Sequence, residues 1–236
     1  DGEGVIHKAV NLGWSEMNLK KELTALLGGM HVEGGNDANV AALGEMWKGG
    51  GQGHKDLVAV TLGTGVGGGI IINGRVVNGA NGSGGEIGHI HVEDNETEPC
   101  GCGNFGCLEE YASATGITRL ANRKLKASDK DSVLRQGEVT AKSVFDAVKA
   151  GDELAIEVAK QFGEYLGKGL AVIAGVVNPE VFVIGGGVSK AGEVLFEYIR
   201  PAFDRTVFHG CRDTKFVLAT LGNDAGIYGA AKLVLD

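Results

Sequence analysis

The chain has 236 residues, long for one domain and comfortable for two. Hydrophobic residues make up 43% and charged residues 22%, and 30 Asp and Glu against 22 Lys and Arg give a net charge of −8. No basic run or basic helix face offers a nucleic-acid footprint in this segment, and apolar stretches such as Val181 to Ile184 fall far short of the ~20 residues that span a bilayer. The opening Asp1-Gly2-Glu3-Gly4 carries neither an initiator Met nor a signal peptide. It reads as the interior of a longer, cytoplasmic protein. Glycine is the compositional outlier, 41 residues against 3 prolines, more than double the usual ~7%. Without a collagen period, that content predicts tight turns and close backbone approaches.

In chain order, Ser15 is the expected N-cap of a helix from about Asn18 to Leu27, stopped by Gly28. An extended piece from Met30 to Glu33 leads to Gly34-Gly35-Asn36-Asp37, and Val40, Leu43, Met46 and Trp47 then recur at helical spacing until Gly49-Gly50-Gly51. Asn36 and Asp37 therefore sit at a helix N-terminus, where the dipole keeps a carboxylate ionised. A meander follows: strand Leu57–Leu62, a glycine loop, strand Gly69–Ile72, the hairpin signal Asn73-Gly74, and strand Arg75–Val77. Residues 78–106 show little periodicity. Leu108–Leu125 reads as a helix broken near Gly116, Thr140 caps a helix to Lys149, and a long helix from Asp152 stops at Asn178-Pro179. Strand Val181–Ile184, Gly185-Gly186-Gly187, a helix near 192–205, strand Phe216–Thr220 and a helix near 225–235 complete the pattern. Three antiparallel strands followed by alternating helices and parallel strands make an α/β, mixed-sheet architecture.

Three of the four cysteines, Cys100, Cys102 and Cys107, fall within eight residues, downstream of His89. Three thiolates and an imidazole are a complete tetrahedral zinc set, with His91 as the alternative nitrogen ligand. A closed set leaves no open position, so such a zinc is structural. It can still fix His89, whose second ring nitrogen would face a ligand. Cys211 stands alone as a core or surface thiol.

Gly63-Thr64-Gly65-Val66-Gly67-Gly68-Gly69 contains G-x-G-x-x-G, but the dinucleotide fingerprint needs a helix after it, and here a strand follows. The remaining reading is a glycine loop between antiparallel strands that folds N–H groups of Gly63, Thr64, Gly65, Gly67 and Gly68 over phosphates, as against a plain hairpin. Gly185, Gly186 and Gly187 lie between a buried strand and a helix, at the sheet edge where ligands bind. The carboxylates Asp37, Glu86 and Glu109 complete the candidates. An isolated Asp at a helix start is ordinarily a cap, but here it has acidic company beside a phosphate loop.

In order, Gly35-Asn36-Asp37-Ala38-Asn39 with Ala42-Leu43-Gly44-Glu45, Leu62 through Gly69, Gly85-Glu86-Ile87-Gly88-His89, and Cys100-x-Cys102-Gly103-x-x-Gly106-Cys107-Leu108-Glu109 resemble the ROK family of bacterial sugar kinases and repressors. The segments Asn36–Trp47 and Leu108–Gly116 look most like glucokinases of Gram-positive bacteria. The resemblance implies an actin/hexokinase-like (ribonuclease H-like) ATPase fold of two lobes. Residues 1–55 would belong to the first lobe, joined by a C-terminal helix at 224–236, and 56–223 to the second. It implies ATP-dependent phosphorylation of a hexose, glucose above all, at the 6-hydroxyl. Asp37 would be the general base, and Asn36, Asp37, Glu86, His89 and Glu109 would hold the sugar. Gly63 to Gly68 would contact phosphates, Gly185 to Gly187 the adenosine, and His89, Cys100, Cys102 and Cys107 a structural Zn²⁺.

The family also opens with a strand carrying Asp-x-Gly-Gly-Thr, a second phosphate loop that helps hold Mg²⁺. This chain has no such segment, so the resemblance implies an incomplete first lobe and an inactive polypeptide as it stands. A homodimer or homotetramer is implied as well. The competing readings are a sugar-responsive transcriptional repressor of the same family, a kinase for fructose or an N-acetylhexosamine, and a zinc-stabilised binding module without catalysis.

Overall fold

The computed structural model describes residues 4–6 and 15–235; Asp1, Gly2 and Glu3 of the opening lie outside them. Strands β1 (Val5–Ile6) and β2 (Met17–Asn18) form a short antiparallel ribbon, followed by helix α1 (Leu19–Leu26). The cap of α1 is Asn18, not Ser15, because the Asn18 side chain reaches the Lys21 N–H at 2.9 Å. Met30–Glu33 pairs with no strand and is irregular backbone. Then come α2 (Asp37–Lys48), β3 (Leu57–Leu62), β4 (Val66–Ile72), β5 (Arg75–Val76), α3 (Glu109–Ala112), α4 (Ala114–Ala127), α5 (Ala141–Lys149), α6 (Glu153–Val177), β6 (Val181–Gly185), α7 (Val194–Thr206), β7 (Lys215–Leu218) and α8 (Ala225–Leu235). Among the described residues no helix is long and apolar enough to cross a membrane.

Local chemistry sets the boundaries. Asn73 and Gly74, both at positive φ, turn β4 into β5. Thr140 and Ser143 form a reciprocal capping box on α5. Asn178, left-handed at φ 46°, ends α6. The break expected near Gly116 lies at Ser113 instead: its hydroxyl accepts the Gly116 N–H at 2.9 Å and caps α4.

The five-stranded sheet runs β5-β4-β3-β6-β7, with β3, β4 and β5 antiparallel and β6 and β7 parallel to β3. Alternation along the strands sends successive side chains to opposite faces. Val58, Val60, Leu62, Phe182 and Ile184 join the large core under the helices of residues 109–203. Leu57, Ala59, Ile71, Val181 and Val183 meet Ala42 and Leu43 of α2 on the other face.

The two helices on that second side, α2 and α8, touch backbone to backbone. A Cβ at Gly44 would stand 2.0 Å from the Ala225 carbonyl oxygen, and one at Gly229 would stand 1.7 Å from that of Val40. Close approach, anticipated from the glycine content, is thus a property of helix interfaces as well as of turns.

Candidate active site

Helix α2 places the first carboxylate. Asn36 caps it, its side-chain oxygen accepting from Ala38 N at 3.0 Å and Asn39 N at 3.2 Å. Asp37, the first helical residue, is exposed. The helix is seated directly on β4: a Cβ at Gly69 would lie 2.4 Å from Ala42 Cβ and 2.8 Å from the Ala38 oxygen, and one at Gly67 would lie 3.6 Å from Ala38 Cβ. This revises the expected glycine loop. The strand begins at Val66, three residues early, because glycine there serves close packing and the ladder to β3 continues through Thr61↔Gly67 and Val60↔Gly68. Only Gly63, Thr64 and Gly65 form the connecting loop, with the Gly63 N–H donating to the Gly65 oxygen at 3.0 Å and Thr64 exposed at its tip.

The segment of Glu86 and His89 lies across the same strand. A Cβ at Gly68 would stand 2.5 Å from the Gly85 oxygen, and one at Gly88 2.2 Å from the Val66 oxygen. Gly85 has φ 93° and leads into the 3₁₀ turn Ile87–His89, flanked by exposed Glu86. From a third direction Glu109, the first residue of α3, accepts from Val66 N at 3.4 Å through one oxygen. Its other oxygen is 3.7 Å from His89 Nδ1. The elements carrying Asn36, Asp37, Glu86, His89 and Glu109 therefore converge on the first residues of β4.

Behind His89 lies the cysteine cluster. The donor atoms of His89, Cys100, Cys102 and Cys107 all fall within 4.8 Å of one another. Cys100 Sγ is 3.7 Å from His89 Nδ1, and Cys102 Sγ is 3.7 Å from Cys107 Sγ. A tetrahedral zinc with arms of about 2.3 Å to sulfur and about 2.0 Å to nitrogen needs donor separations of roughly 3.5–3.8 Å, so donor set and spacing fit that ion. His91 stands outside the group, its ring nitrogens bonded to the Phe105 carbonyl and Asp94, both at 2.9 Å. Burial pushes the Cys100 and Cys107 thiols up, whereas the Asn104 N–H lowers Cys102. Metal binding here must release protons. Cys211 is a core thiol whose Sγ donates to the Ala174 oxygen at 3.3 Å.

The loop between these ligands is fastened by charge. Glu96, its side chain only 3% exposed, accepts from Tyr111 Oη at 2.6 Å, Arg119 at 3.2 Å and Arg123 at 3.1 Å. The Arg123 guanidinium, more than any other neighbour, holds its carboxyl far below the usual range.

At the carboxyl edge of β3 and β6 a cavity of about 450 Å³ opens between Thr61, Gly185 to Gly187 and the β7–α8 connection. Gly186, at φ 84°, brings its backbone against Leu62: a Cβ there would stand 2.4 Å from the Leu62 oxygen. Glu45, Ser189, Lys190, Thr220 and Asn223 also line this cavity. Sequence reasoning gave none of these five a role at the site, since none sits in a local motif with chemistry of its own. Glu45 appears there only inside the Ala42-Leu43-Gly44-Glu45 segment of the resemblance, and its burial to 4% is visible only in the structure.

The sequence profile of the ROK family matches residues 1–236. The chain belongs to the ROK family. It is 48% identical to a glucokinase of Halalkalibacterium halodurans, over 98% of this chain and 71% of that protein. It superposes on a ROK-family glucokinase from Streptomyces griseus, solved with glucose and AMPPNP, with a TM-score of 0.82 and 36% identity over 99% of this chain and 77% of that one. A ROK-family transcriptional regulator matches with a TM-score of 0.87 and 30% identity, over 98% of this chain but only 58% of the regulator. The fold is the actin/hexokinase-like α/β fold that the motifs implied.

Proposed function

We propose that this chain is the phosphotransferase that moves the γ-phosphate of ATP to the 6-hydroxyl of glucose. The observation that carries the reading is the convergence of Asn36-Asp37, Glu86, His89 and Glu109 on the start of β4, next to the glycine-walled cavity. The similarity to glucokinases, one of them bound to glucose and AMPPNP, supports it.

Asp37 is the proposed base. It is the first residue of α2, exposed beside the Asn36 cap, with one carboxylate oxygen accepting from Ala38 N at 2.9 Å. It would accept the 6-hydroxyl proton as the oxygen attacks phosphorus and the bond from phosphorus to the ADP oxygen breaks. Asn36, Glu86, His89 and Glu109 hold the other hydroxyls, each carboxylate able to accept from two. The N–H groups of Thr64 and Gly65 would face the phosphates, Gly63 closing the loop through its N–H on the Gly65 oxygen, with Gly67 and Gly68 lending backbone from the strand, and Gly185 to Gly187 would border the adenosine. Mg²⁺ arriving with the nucleotide would supply positive charge against the phosphates. Zinc on His89, Cys100, Cys102 and Cys107 would fix the His89 ring with Nδ1 toward the metal and Nε2 toward the sugar. Closure of two lobes, divided near residue 55 and linked through α8, would exclude water as a competing acceptor. We further propose a cytoplasmic homo-oligomer, a dimer or tetramer.

A second reading, a sugar-sensing repressor, has the regulator superposition in its favour. It requires neither a base at Asp37 nor ATP. The test is ADP release by the full-length natural protein, and by the 236-residue chain alone, with glucose, fructose, N-acetylmannosamine and N-acetylglucosamine in turn. Turnover with glucose is expected from the full-length protein and not from the 236-residue chain alone. No turnover with any sugar by folded, zinc-loaded full-length protein would overturn the kinase reading in favour of the repressor.

A further inference from the structure

Glu45 is the deeply buried carboxylate of α2, 4% exposed, and none of the described residues forms an ion pair with it. Its charge is met entirely by backbone. One oxygen accepts from Gly50 N at 2.8 Å and Thr220 N at 3.1 Å, and the other accepts from Leu221 N at 2.9 Å. Two different connections are thereby tied to one side chain: the turn that ends α2 and the loop from β7 to α8. Glycine is required for the first of these. A Cβ at Gly49 would lie 1.9 Å from the Glu45 carboxylate, and one at Gly50 would lie 2.3 Å from the Leu218 oxygen.

The tied loop is not remote from chemistry, since Thr220, Gly222 and Asn223 line the cavity at the carboxyl edge. Asp37 lies eight residues before Glu45 on the same helix, about 12 Å along its axis at 1.5 Å per residue.

We infer that Glu45 is a positioning residue that sets the nucleotide wall, Thr220 to Asn223, at a fixed distance from the base at the other end of α2. The inference rests on the kinase reading. A charged acceptor is needed because three N–H donors converge on one group. The glutamine isostere offers a single carbonyl oxygen and turns an NH₂ toward an N–H, leaving a buried donor unmet. Loss of charge-assisted bonds of this kind corresponds to about tenfold or more in an equilibrium constant. The tied segment lines the cavity at the carboxyl edge and none of the proposed sugar-holding residues does, so the effect falls on nucleotide and not on sugar.

The test compares full-length wild type with Glu45→Gln, measuring KM for ATP and glucose and direct binding of AMPPNP and glucose. The expected result is a rise of about tenfold or more in KM for ATP and in the Kd for AMPPNP, with the glucose constants within about twofold. The Glu45→Asp variant keeps the charge but is one methylene short, and is expected to recover only part of the loss. Equal AMPPNP affinity in wild type and in folded Glu45→Gln overturns the inference and leaves the kinase reading intact. Failure of wild type to bind AMPPNP at all overturns both. Hydrogen exchange in the wild type decides the matter even where the variant does not fold. Segments 44–52 and 216–225 are expected to gain protection together on AMPPNP addition, and protection of neither or of only one overturns the link.

Discussion

The loop that carries His89 and the three cysteines is fastened by side chains, whereas the wall of the cavity at the carboxyl edge is fastened by backbone. Residues 90–107 have almost no regular structure. Their shape depends on four metal-type donors, on Glu96 locked to Tyr111, Arg119 and Arg123, and on Glu93 bonded to Tyr165 at 2.8 Å. The cavity wall depends on Gly186 at positive φ, on glycine contacts between α2 and α8, and on three N–H groups converging on Glu45. The proposed sugar side should therefore fail through chelation, and the proposed nucleotide side through an added methyl group or through loss of the one carboxylate, Glu45, on which its N–H groups converge. Asp37, at the head of the helix that runs between them, belongs to neither support.

The largest expected effect falls on that shared residue. Asp37→Asn should lower kcat by about 10²–10⁴-fold, the usual contribution of general base catalysis, with binding of glucose and AMPPNP retained. Rapid-quench turnover beside equilibrium binding checks this, and substantial remaining kcat would make Asp37 a first-turn acid of α2 and nothing more.

Next is the charge lock. Removing one partner of a buried ionic network costs about 3–5 kcal/mol, so Glu96→Gln should lower unfolding free energy by roughly that amount in denaturant titrations at neutral pH. The sign with pH follows from the depressed carboxyl. Its stabilisation is complete above the unfolded glutamate pKa of about 4.3 and is lost as pH falls below that toward the folded value. The gap between wild type and Glu96→Gln should therefore narrow in acid. A gap that stays constant down to pH 3 would remove Glu96 as the source.

Chelation, or Cys102→Ser, should raise KM for glucose by about 10–100-fold, the size of effect seen when a support of a metal-site ligand is removed, while KM for ATP stays level. An equal rise in both constants would erase the distinction between the two supports. The smallest effect is expected from Gly186→Ala. It adds one methyl 2.4 Å from the Leu62 oxygen at a positive φ, at a cost of about 1–3 kcal/mol, and should weaken AMPPNP with glucose affinity unchanged.

Much of the fold was legible because it is written in local signals. Asn73-Gly74 marked the hairpin, Thr140 and Asp152 marked helix starts, and Asn178-Pro179 marked a helix end. What misled was glycine at Gly67 and Gly68, which reads as a loop by propensity but lies in β4 because α2 and the Gly85–Gly88 segment press on that strand. Ser113 took the break expected at Gly116 because a hydroxyl capping the next turn outweighs one glycine inside it. The cysteine spacing announced the donor cluster, and the motif order gathered the carboxylates. Glu45 and Glu96 were not legible in the same way: one is satisfied by backbone 175 positions away and the other by arginines 23 and 27 positions away. No local pattern reports a partner at that distance.

The most direct test of the account follows the terminal phosphate itself. Full-length protein is incubated with γ-labelled ATP, Mg²⁺ and glucose, and the sugar product is isolated and its phosphorylated position determined. The account predicts label on glucose 6-phosphate in wild type and almost none with Asp37→Asn. Label that remains on ATP or passes only to water, from zinc-replete wild type that binds glucose, would contradict it.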